Sequence, residues 1–123
     1  IGFPTANLCL KNFLKPPLGV YISRLKIINS KNPEICNDWL PSISNIGTRP
    51  TVSGDSINLE THIIDFKNNV ETNLYGKRIN VELIEFLRPE KKFNSLSELQ
   101  KQIEIDTKRA HEFHKSFKKT LII

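Results

Sequence analysis

Two short oxygen-bearing side chains lie close together near the start of the chain, in the segment Phe3-Pro4-Thr5-Ala6-Asn7. Pro4 fixes its own φ and disfavours helical geometry for Phe3, so the segment has little conformational freedom left to lose. Thr5 and Asn7 are two residues apart, and in an extended segment their side chains point the same way. A hydroxyl and an amide oxygen placed in this way could ligate one hard cation. The alternative is a Pro-Thr turn in which Asn7 satisfies its own backbone.

A second group of polar side chains alternates with apolar ones over residues 57–66. Period-two alternation predicts a strand that places Asn58, Glu60 and His62 on one face and apolar residues on the other. A carboxylate on such a face could do acid–base work, and alternation alone is equally consistent with a solvent-facing strand. His62 shares the face of Glu60 and could orient it, although a strand histidine is more often simply hydrogen-bonded.

Several familiar devices are absent from the sequence. The five glycines are too widely spaced for a P-loop or a dinucleotide fingerprint, and no serine nucleophile elbow or zinc-binding His-Glu-x-x-His helix occurs. Cys9 and Cys36 lack partners at metal-ligand spacing, which favours free thiols and a cytoplasmic location. His111 and His114 could share a metal, but the charged residues around them favour a solvated helix face.

The composition is that of one globular domain, with 38% hydrophobic and 25% charged residues in 123. No apolar run exceeds three residues, so we expect no membrane span, and the first residues do not resemble a secretory signal. The net charge of +5 is concentrated at the two ends of the chain, which could attract a polyanion or simply solvate a helix. Because the sequence contains no Met, we expect Ile1 to lie inside a longer protein.

The elements that must position these residues are strands followed by one helix. Branched residues between turn signals predict strands over 20–28, 39–48, 57–66 and 79–83, with a polar connection over 67–76. Ser95 and Glu98 have the spacing of a capping box, and apolar residues then recur at helical intervals. The pattern predicts a mostly antiparallel β sandwich or small barrel with a terminal helix packed across it.

Five segments together resemble the riboflavin kinase domain of the bacterial bifunctional riboflavin kinase/FAD synthetase. They are Gly2–Leu8, Asn45-Ile46-Gly47-Thr48-Arg49-Pro50-Thr51, Leu59-Glu60-Thr61-His62, Leu74-Tyr75-Gly76 and Leu87-Arg88 through Phe93. The resemblance implies a small antiparallel Greek-key β-barrel with one C-terminal α-helix. We therefore expect one riboflavin kinase domain over 1–123, with barrel strands and loops over 1–94 and the helix over 95–117. Most of the family's first barrel segment is expected to be missing, which puts activity in doubt if the chain is complete.

The same resemblance implies an activity and a set of site residues. The activity is ATP-dependent phosphorylation of the ribityl 5′-hydroxyl of riboflavin, giving FMN and ADP, as the kinase half of a bifunctional FAD synthetase. Glu60 matches the catalytic base, and Thr5 and Asn7 match the residues that hold Mg2+ at the ATP phosphates. Phosphoryl transfer suits such a site, because positioning and charge neutralisation supply most of the acceleration. The expected nucleotide-binding residues are Gly2, Phe3, Pro4, Thr5, Asn7 and Asn45.

Arg88 and Phe93 match positions that bind the flavin, although Arg88 could equally be a surface cation beside Glu90. The expected partners are riboflavin and ATP as substrates and an adenylyltransferase domain N-terminal in the parent chain, with neither a membrane nor nucleic acid. The alternative function is a basic β-barrel module that binds nucleic acid, because Phe13, Tyr21 and Trp39 are interleaved with Lys and Arg and the pI is about 9.3.

Overall fold

The structure is a computed structural model that describes residues 5–9, 16–28, 39–64 and 78–121, with side chains from 16 to 116 within these ranges. The described elements are β1 (Thr5–Cys9), β2 (Gly19–Ile28), β3 (Leu40–Thr51), β4 (Gly54–Ile63), β5 (Arg78–Arg88) and α1 (Leu96–Leu121). The chain divides into two compact units, Ile1–Glu90 with the strands and Lys91–Ile123 with the helix.

The five strands form one antiparallel sheet in the order β1-β4-β3-β2-β5. β2, β3 and β4 pair with their neighbours in sequence, whereas β1 lies beside β4, which is Greek-key connectivity. Within the described ranges, β1 and β5 occupy the two ends of the hydrogen-bonded order. The predicted architecture of antiparallel strands followed by one C-terminal helix is therefore confirmed.

Several strand boundaries differ from the sequence-based prediction: β4 begins at Gly54, three residues before the expected start, β5 continues to Arg88, five residues beyond the expected end, and β3 is also longer than expected. β3 was expected to end before Arg49-Pro50, but it continues to Thr51, which pairs with Gly54 across a tight turn. A proline disfavours helix for the residue before it and is compatible with extended geometry, so Pro50 does not by itself stop a strand. The hydroxyl of Thr51 also donates to the Gly54 carbonyl oxygen, which closes the β3–β4 hairpin.

Most of the core lies on the face opposite to the predicted polar one, and Val20, Ile22 and Ile43 are buried on the polar face itself. Strand alternation places two apolar clusters on that opposite face, one around Leu25, Ile27 and Ile63 and the other around Tyr21, Ile46 and Leu59. Their burial supplies the main hydrophobic stabilisation of the sheet, about 1.5–3 kcal/mol for each large side chain. Asn58, Glu60 and His62 are half-buried on the polar face, as the alternation of β4 predicts.

Gly19 allows β5 to pair with the start of β2. Its φ is +148°, and a Cβ there would stand 2.5 Å from the carbonyl oxygen of Arg88 and 2.5 Å from the ring of Phe86. A side chain at this position would push the two strands apart. The β2–β5 register also shifts between Val20 and Tyr21, and the resulting bulge sets the position of Arg88.

The start of α1 is capped as the sequence predicts. The backbone N–H of Glu98 donates to Ser95 Oγ at 3.2 Å, and the Glu98 carboxylate accepts from the N–H of Asn94 at 3.1 Å, one residue before the usual partner. The helix continues to Leu121, four residues beyond the predicted end, because no glycine or proline follows to stop it. No helix in the described part of the chain combines the length and apolar character needed to cross a membrane.

Candidate functional site

One cross-strand row of the sheet contains four of the residues singled out in the sequence. Asn7 pairs with Glu60, Glu60 with Asn45, Asn45 with Val20, and Val20 with Arg88. Residues directly opposite each other on neighbouring strands share a face of the sheet. This group of five, the site row, therefore crosses all five strands on one face.

The neighbouring row on the same face contains the other predicted metal ligand. Thr5 pairs with His62, His62 with Ile43, and Ile43 with Ile22. The two-residue spacing of Thr5 and Asn7 thus places both positions beside residues of β4 and on one face. The segment is a strand, which agrees with the extended interpretation. The side chains of β1 lie outside the described part.

The register that builds the site row is supported from the opposite face of the sheet. Ser44 and Thr61, which precede and follow the site-row positions on β3 and β4 respectively, share a hydroxyl hydrogen bond of 2.9 Å. Ser23 Oγ lies 2.7 Å from both Ser42 Oγ and Ser44 Oγ. These four hydroxyl-bearing residues are at most 1% exposed, so a slipped register would leave buried hydroxyls without their partners.

Glu60 is half-buried, with its side chain 21% exposed, and forms an ion pair with Arg49 through Nη2 and Oε1. Arg49 does not face Glu60 in the register, since it pairs with Ser56 and lies four residues beyond Asn45. The ion pair therefore spans the intervening row formed by Gly47 and Asn58. It places a fixed positive charge beside the carboxylate that the sequence predicts to be the catalytic base.

Gly47 lies where several polar groups converge. A Cβ at this position would overlap Oε1 of Glu90 and would stand 3.3 Å from Nδ2 of Asn45. The carboxylate of Glu90 thus lies over the strand next to the site row, close to the amide of Asn45. Glycine leaves room for this side chain, and its backbone φ imposes no further requirement.

The remaining predicted residues differ in how far the structure describes them. Arg88 is half-buried at the end of the site row, and its Nη1 donates to the carbonyl oxygen of Pro89 at 3.1 Å. Phe93 lies in the helix unit, where the ammonium of Lys91 is 5.7 Å from its ring centre. Gly2, Phe3 and Pro4 lie outside the described residues, so their predicted roles remain predictions.

The titration of His62, on this face, is perturbed by its environment. Burial lowers the pKa of His62 from its ordinary value of 6.5, because a charged imidazolium is less well solvated there. The neutral ring is therefore favoured in the folded protein. A neutral imidazole can both donate and accept a hydrogen bond on the face that contains Glu60.

Sequence reasoning missed Arg49 and Glu90. Both belong to segments that carry the resemblance, the first to Asn45–Thr51 and the second to Leu87–Phe93. The position of neither residue in the sequence predicts that it lies near a site residue. Each has a long side chain that reaches across the sheet, Arg49 to Glu60 and Glu90 to the space over Gly47. The one feature of the sequence that could have indicated a role for them is that each is a charged residue within a segment shared with the family.

A divalent cation is compatible with the donor chemistry of this face. Within the described ranges, no cluster of three or more His, Cys, Asp and Glu side chains could hold a metal on its own. The register instead aligns a threonine, an asparagine and a glutamate position, and hard cations such as Mg2+ prefer oxygen ligands of these types. Mg2+ commonly takes few protein ligands and completes its shell with phosphate and water.

The aromatic residues of the nucleic-acid alternative do not form an exposed stacking surface among the described residues. Tyr21 is 7% exposed and belongs to the core, where its hydroxyl donates to the Pro17 carbonyl oxygen at 2.6 Å. The guanidinium of Arg24 lies 4.2 Å from the ring centre of Trp39, so this cation already occupies one face of the indole. Phe13 lies outside the described residues.

Comparison with known proteins identifies the family. The riboflavin kinase (flavokinase) family model matches residues 1–114. The bifunctional riboflavin kinase/FMN adenylyltransferase of Escherichia coli is 42% identical over 92% of this chain and 33% of its own length. The Bacillus subtilis protein of the same name is 35% identical over 97% of this chain and 35% of its own length. This chain thus spans about a third of the length of these relatives.

Two further matches extend the comparison. The trifunctional protein RibF/MnmA of Mycoplasmoides gallisepticum is 37% identical over all of this chain and 17% of its own length. A crystal structure described as a macrolide-efflux protein from Streptococcus pneumoniae superposes with a TM-score of 0.70 at 25% identity, covering 89% of this chain and 33% of its own. The family match covers the strands and most of the helix, including every residue of the site row. The chain therefore belongs to the riboflavin kinase family.

Proposed function

We propose that this chain catalyses transfer of the γ-phosphoryl group of ATP to the 5′-hydroxyl of riboflavin, giving FMN and ADP. The observation that carries the proposal is the site row, in which the register aligns Asn7, Glu60, Asn45 and Arg88 on one face. Family membership supports the same activity. In phosphoryl transfer the protein acts mainly by positioning and by stabilising charge, which a rigid cross-strand arrangement of polar groups can do.

Glu60 is the proposed proton acceptor. The riboflavin hydroxyl oxygen forms a bond to the γ-phosphorus while the bond from that phosphorus to the bridging oxygen of ADP breaks. The hydroxyl proton passes to the Glu60 carboxylate, and ADP leaves with the electrons of the broken bond. A carboxylate is a weak base toward an alcohol, so we expect orientation first and proton acceptance late in the transfer.

Thr5 and Asn7 are the proposed ligands of Mg2+. Their positions lie opposite His62 and Glu60, and a hydroxyl and an amide oxygen suit this cation. When bound, Mg2+ would neutralise charge on the transferring phosphate and the leaving ADP. Asn45 would contact the nucleotide from the next strand, together with Gly2, Phe3 and Pro4.

Arg88 and Phe93 are the proposed flavin-binding residues. Arg88 and Asn7 lie at opposite ends of the site row. The proposed flavin contact at Arg88 and the proposed metal ligand Asn7 are therefore separated by the width of the sheet. A guanidinium can donate to carbonyl oxygens of the flavin, and an aromatic ring such as that of Phe93 can stack on its ring system.

The proposal extends to the whole protein through the names of its relatives. Because those relatives are bifunctional or trifunctional and much longer than this chain, we propose that the kinase acts beside an N-terminal adenylyltransferase domain that uses its FMN. We also propose a cytoplasmic location.

The central test replaces the proposed proton acceptor. Glu60→Gln keeps the size of the side chain and removes its charge, and we expect FMN formation by the full chain to fall by about 10²–10⁴-fold, as loss of a general base does. ADP binding should persist. Glu82→Gln is the matched control, because Glu82 is also an ion-paired strand carboxylate, at 2.9 Å from Arg24, and lies outside the site row. Unchanged turnover in Glu60→Gln would remove the proposed role of Glu60.

A binding experiment tests the substrates independently of turnover. Riboflavin fluorescence is titrated with the full chain in the presence of ADP, of Mg2+ and of both. We expect the strongest quenching when all partners are present, because the proposed flavin and nucleotide positions share one row. Absence of quenching under every condition would contradict a flavin site.

A further inference from the structure

The ion pair between Arg49 and Glu60 lies on the face that contains the site row, and the mechanism proposed above gives Arg49 no role. The side chain of Arg49 is 53% exposed and that of Glu60 is 21% exposed. An exposed arginine has many partners and conformers available, and holding it on one carboxylate costs side-chain entropy. A pair that contributed only surface stability would be worth about 0–1 kcal/mol. The Arg49–Glu60 pair is of interest because it involves the proposed proton acceptor.

The geometry of the pair constrains the carboxylate. Arg49 and the row of Glu60 are separated by four residues along β3, about 13 Å of strand. The two side chains therefore meet only by leaning toward each other along the strands. Gly47 occupies the intervening position on the same face, and the room left by its missing Cβ is taken by the carboxylate of Glu90. Arg49 thus holds Glu60 in one direction along the sheet.

We propose that Arg49 is a positioning residue that holds the Glu60 carboxylate in the orientation needed to accept the proton of the attacking hydroxyl. This inference rests on the proposed kinase function. The guanidinium contacts Oε1 of Glu60, so it restricts rotation of the carboxylate about its terminal bonds. Displacement of a reacting group by about 1 Å can cost roughly 10²-fold in rate, so the orientation of this carboxylate affects turnover directly.

The test compares three variants of Arg49 in the full chain. In Arg49→Gln we expect kcat to fall about 10- to 100-fold, with the KM values for riboflavin and ATP changed by less than about threefold. Arg49→Lys should be intermediate, because an ammonium retains the charge without the planar fork. Arg49→Ala should regain part of its kcat when guanidinium ion is added at millimolar concentration. A purely structural defect would not respond to that ion.

Arg78→Gln is the matched control, since it removes the same charge from an exposed strand arginine that is not in the site row. Circular dichroism of each variant separates misfolding from lost positioning, and Arg49→Lys provides a folded variant if Arg49→Gln unfolds. Normal kcat in Arg49→Gln with an active wild-type chain would overturn the role of Arg49 and leave the proposed function standing. A raised KM for ATP with normal kcat would also overturn it, because Arg49 would then bind nucleotide. A wild-type chain without kinase activity would overturn the proposed function and, with it, this inference.

Discussion

Replacing Ser23 with alanine should destabilise the sheet more than deleting the hydroxyl at either end of the buried chain Ser42–Ser23–Ser44–Thr61. Ser23 Oγ is one of the two inner groups of this chain, with Ser44, and it lies 2.7 Å from two neighbouring hydroxyls, those of Ser42 and Ser44. All of these residues are 0–1% exposed, so water cannot easily replace a lost partner. Alanine removes one oxygen and leaves little empty volume, which keeps the effect close to a pure loss of hydrogen bonding.

The expected magnitude follows from counting the bonds. Two hydrogen bonds at about 1 kcal/mol each give a loss of about 2 kcal/mol in the free energy of unfolding, and a hydroxyl left without a partner adds to this. Thr61→Val is the matched control, because it keeps the side-chain shape and removes only the 2.9 Å bond to Ser44. We expect about 1 kcal/mol for that variant. A domain of this size has about 5–15 kcal/mol in total, so both variants should fold.

Urea denaturation followed by tryptophan fluorescence provides the assay. Trp39 is the only tryptophan, and the guanidinium of Arg24 packs on its ring, so its emission reports unfolding of β2 and the start of β3. The midpoint should fall in Ser23→Ala at constant m-value. A Ser23→Ala variant within about 0.5 kcal/mol of wild type, or one that costs less than Thr61→Val, would refute the reasoning.

Two further predictions concern the face that contains the site row. Burial lowers the pKa of His62, so the unfolded chain binds more protons than the folded one as the pH falls below about 6.5, and stability is lost in that range. His62→Gln should reduce the pH dependence of the unfolding free energy between pH 7 and about 5, and an unchanged slope in urea titrations would contradict this. Gly47→Ala should cost no more than about 1 kcal/mol, because the new methyl group meets only the movable end of the exposed Glu90 side chain. The same change should cost less in a Glu90→Ala background, and an equal cost in both backgrounds would exclude that contact as the cause.

Local features of the fold could be predicted from the sequence because they depend on residues close together in the chain. The alternation over residues 57–63 predicts which face of β4 is buried, and Leu59, Thr61 and Ile63 are indeed the buried residues. Ser95 and Glu98 predict the start of the helix for the same reason, since a cap involves groups only three residues apart. The extent of β3 was predicted less well, because Pro50 is compatible with both a strand and its end.

The candidate site was predicted in part. The resemblance predicts Asn7, Asn45, Glu60 and Arg88 as site residues one by one. No local sequence pattern indicates that the four lie in one cross-strand row, which the strand register shows. The same is true of Arg49, whose contact with Glu60 depends on two side chains reaching across an intervening row. Such contacts arise from the pairing of strands, which periodicity does not specify.

The sequence by itself determines the alternating faces, the helix cap and the segments shared with the riboflavin kinase family, because each is read from neighbouring residues. Only the tertiary structure decides that β1 pairs with β4 and that β5 pairs with β2, in the registers that align the site row. Those registers depend on long-range burial, on hydrogen bonds between buried hydroxyls and on the close approach allowed at Gly19. A shift of one residue in either pairing would move every side chain of that strand to the opposite face and would separate the site residues.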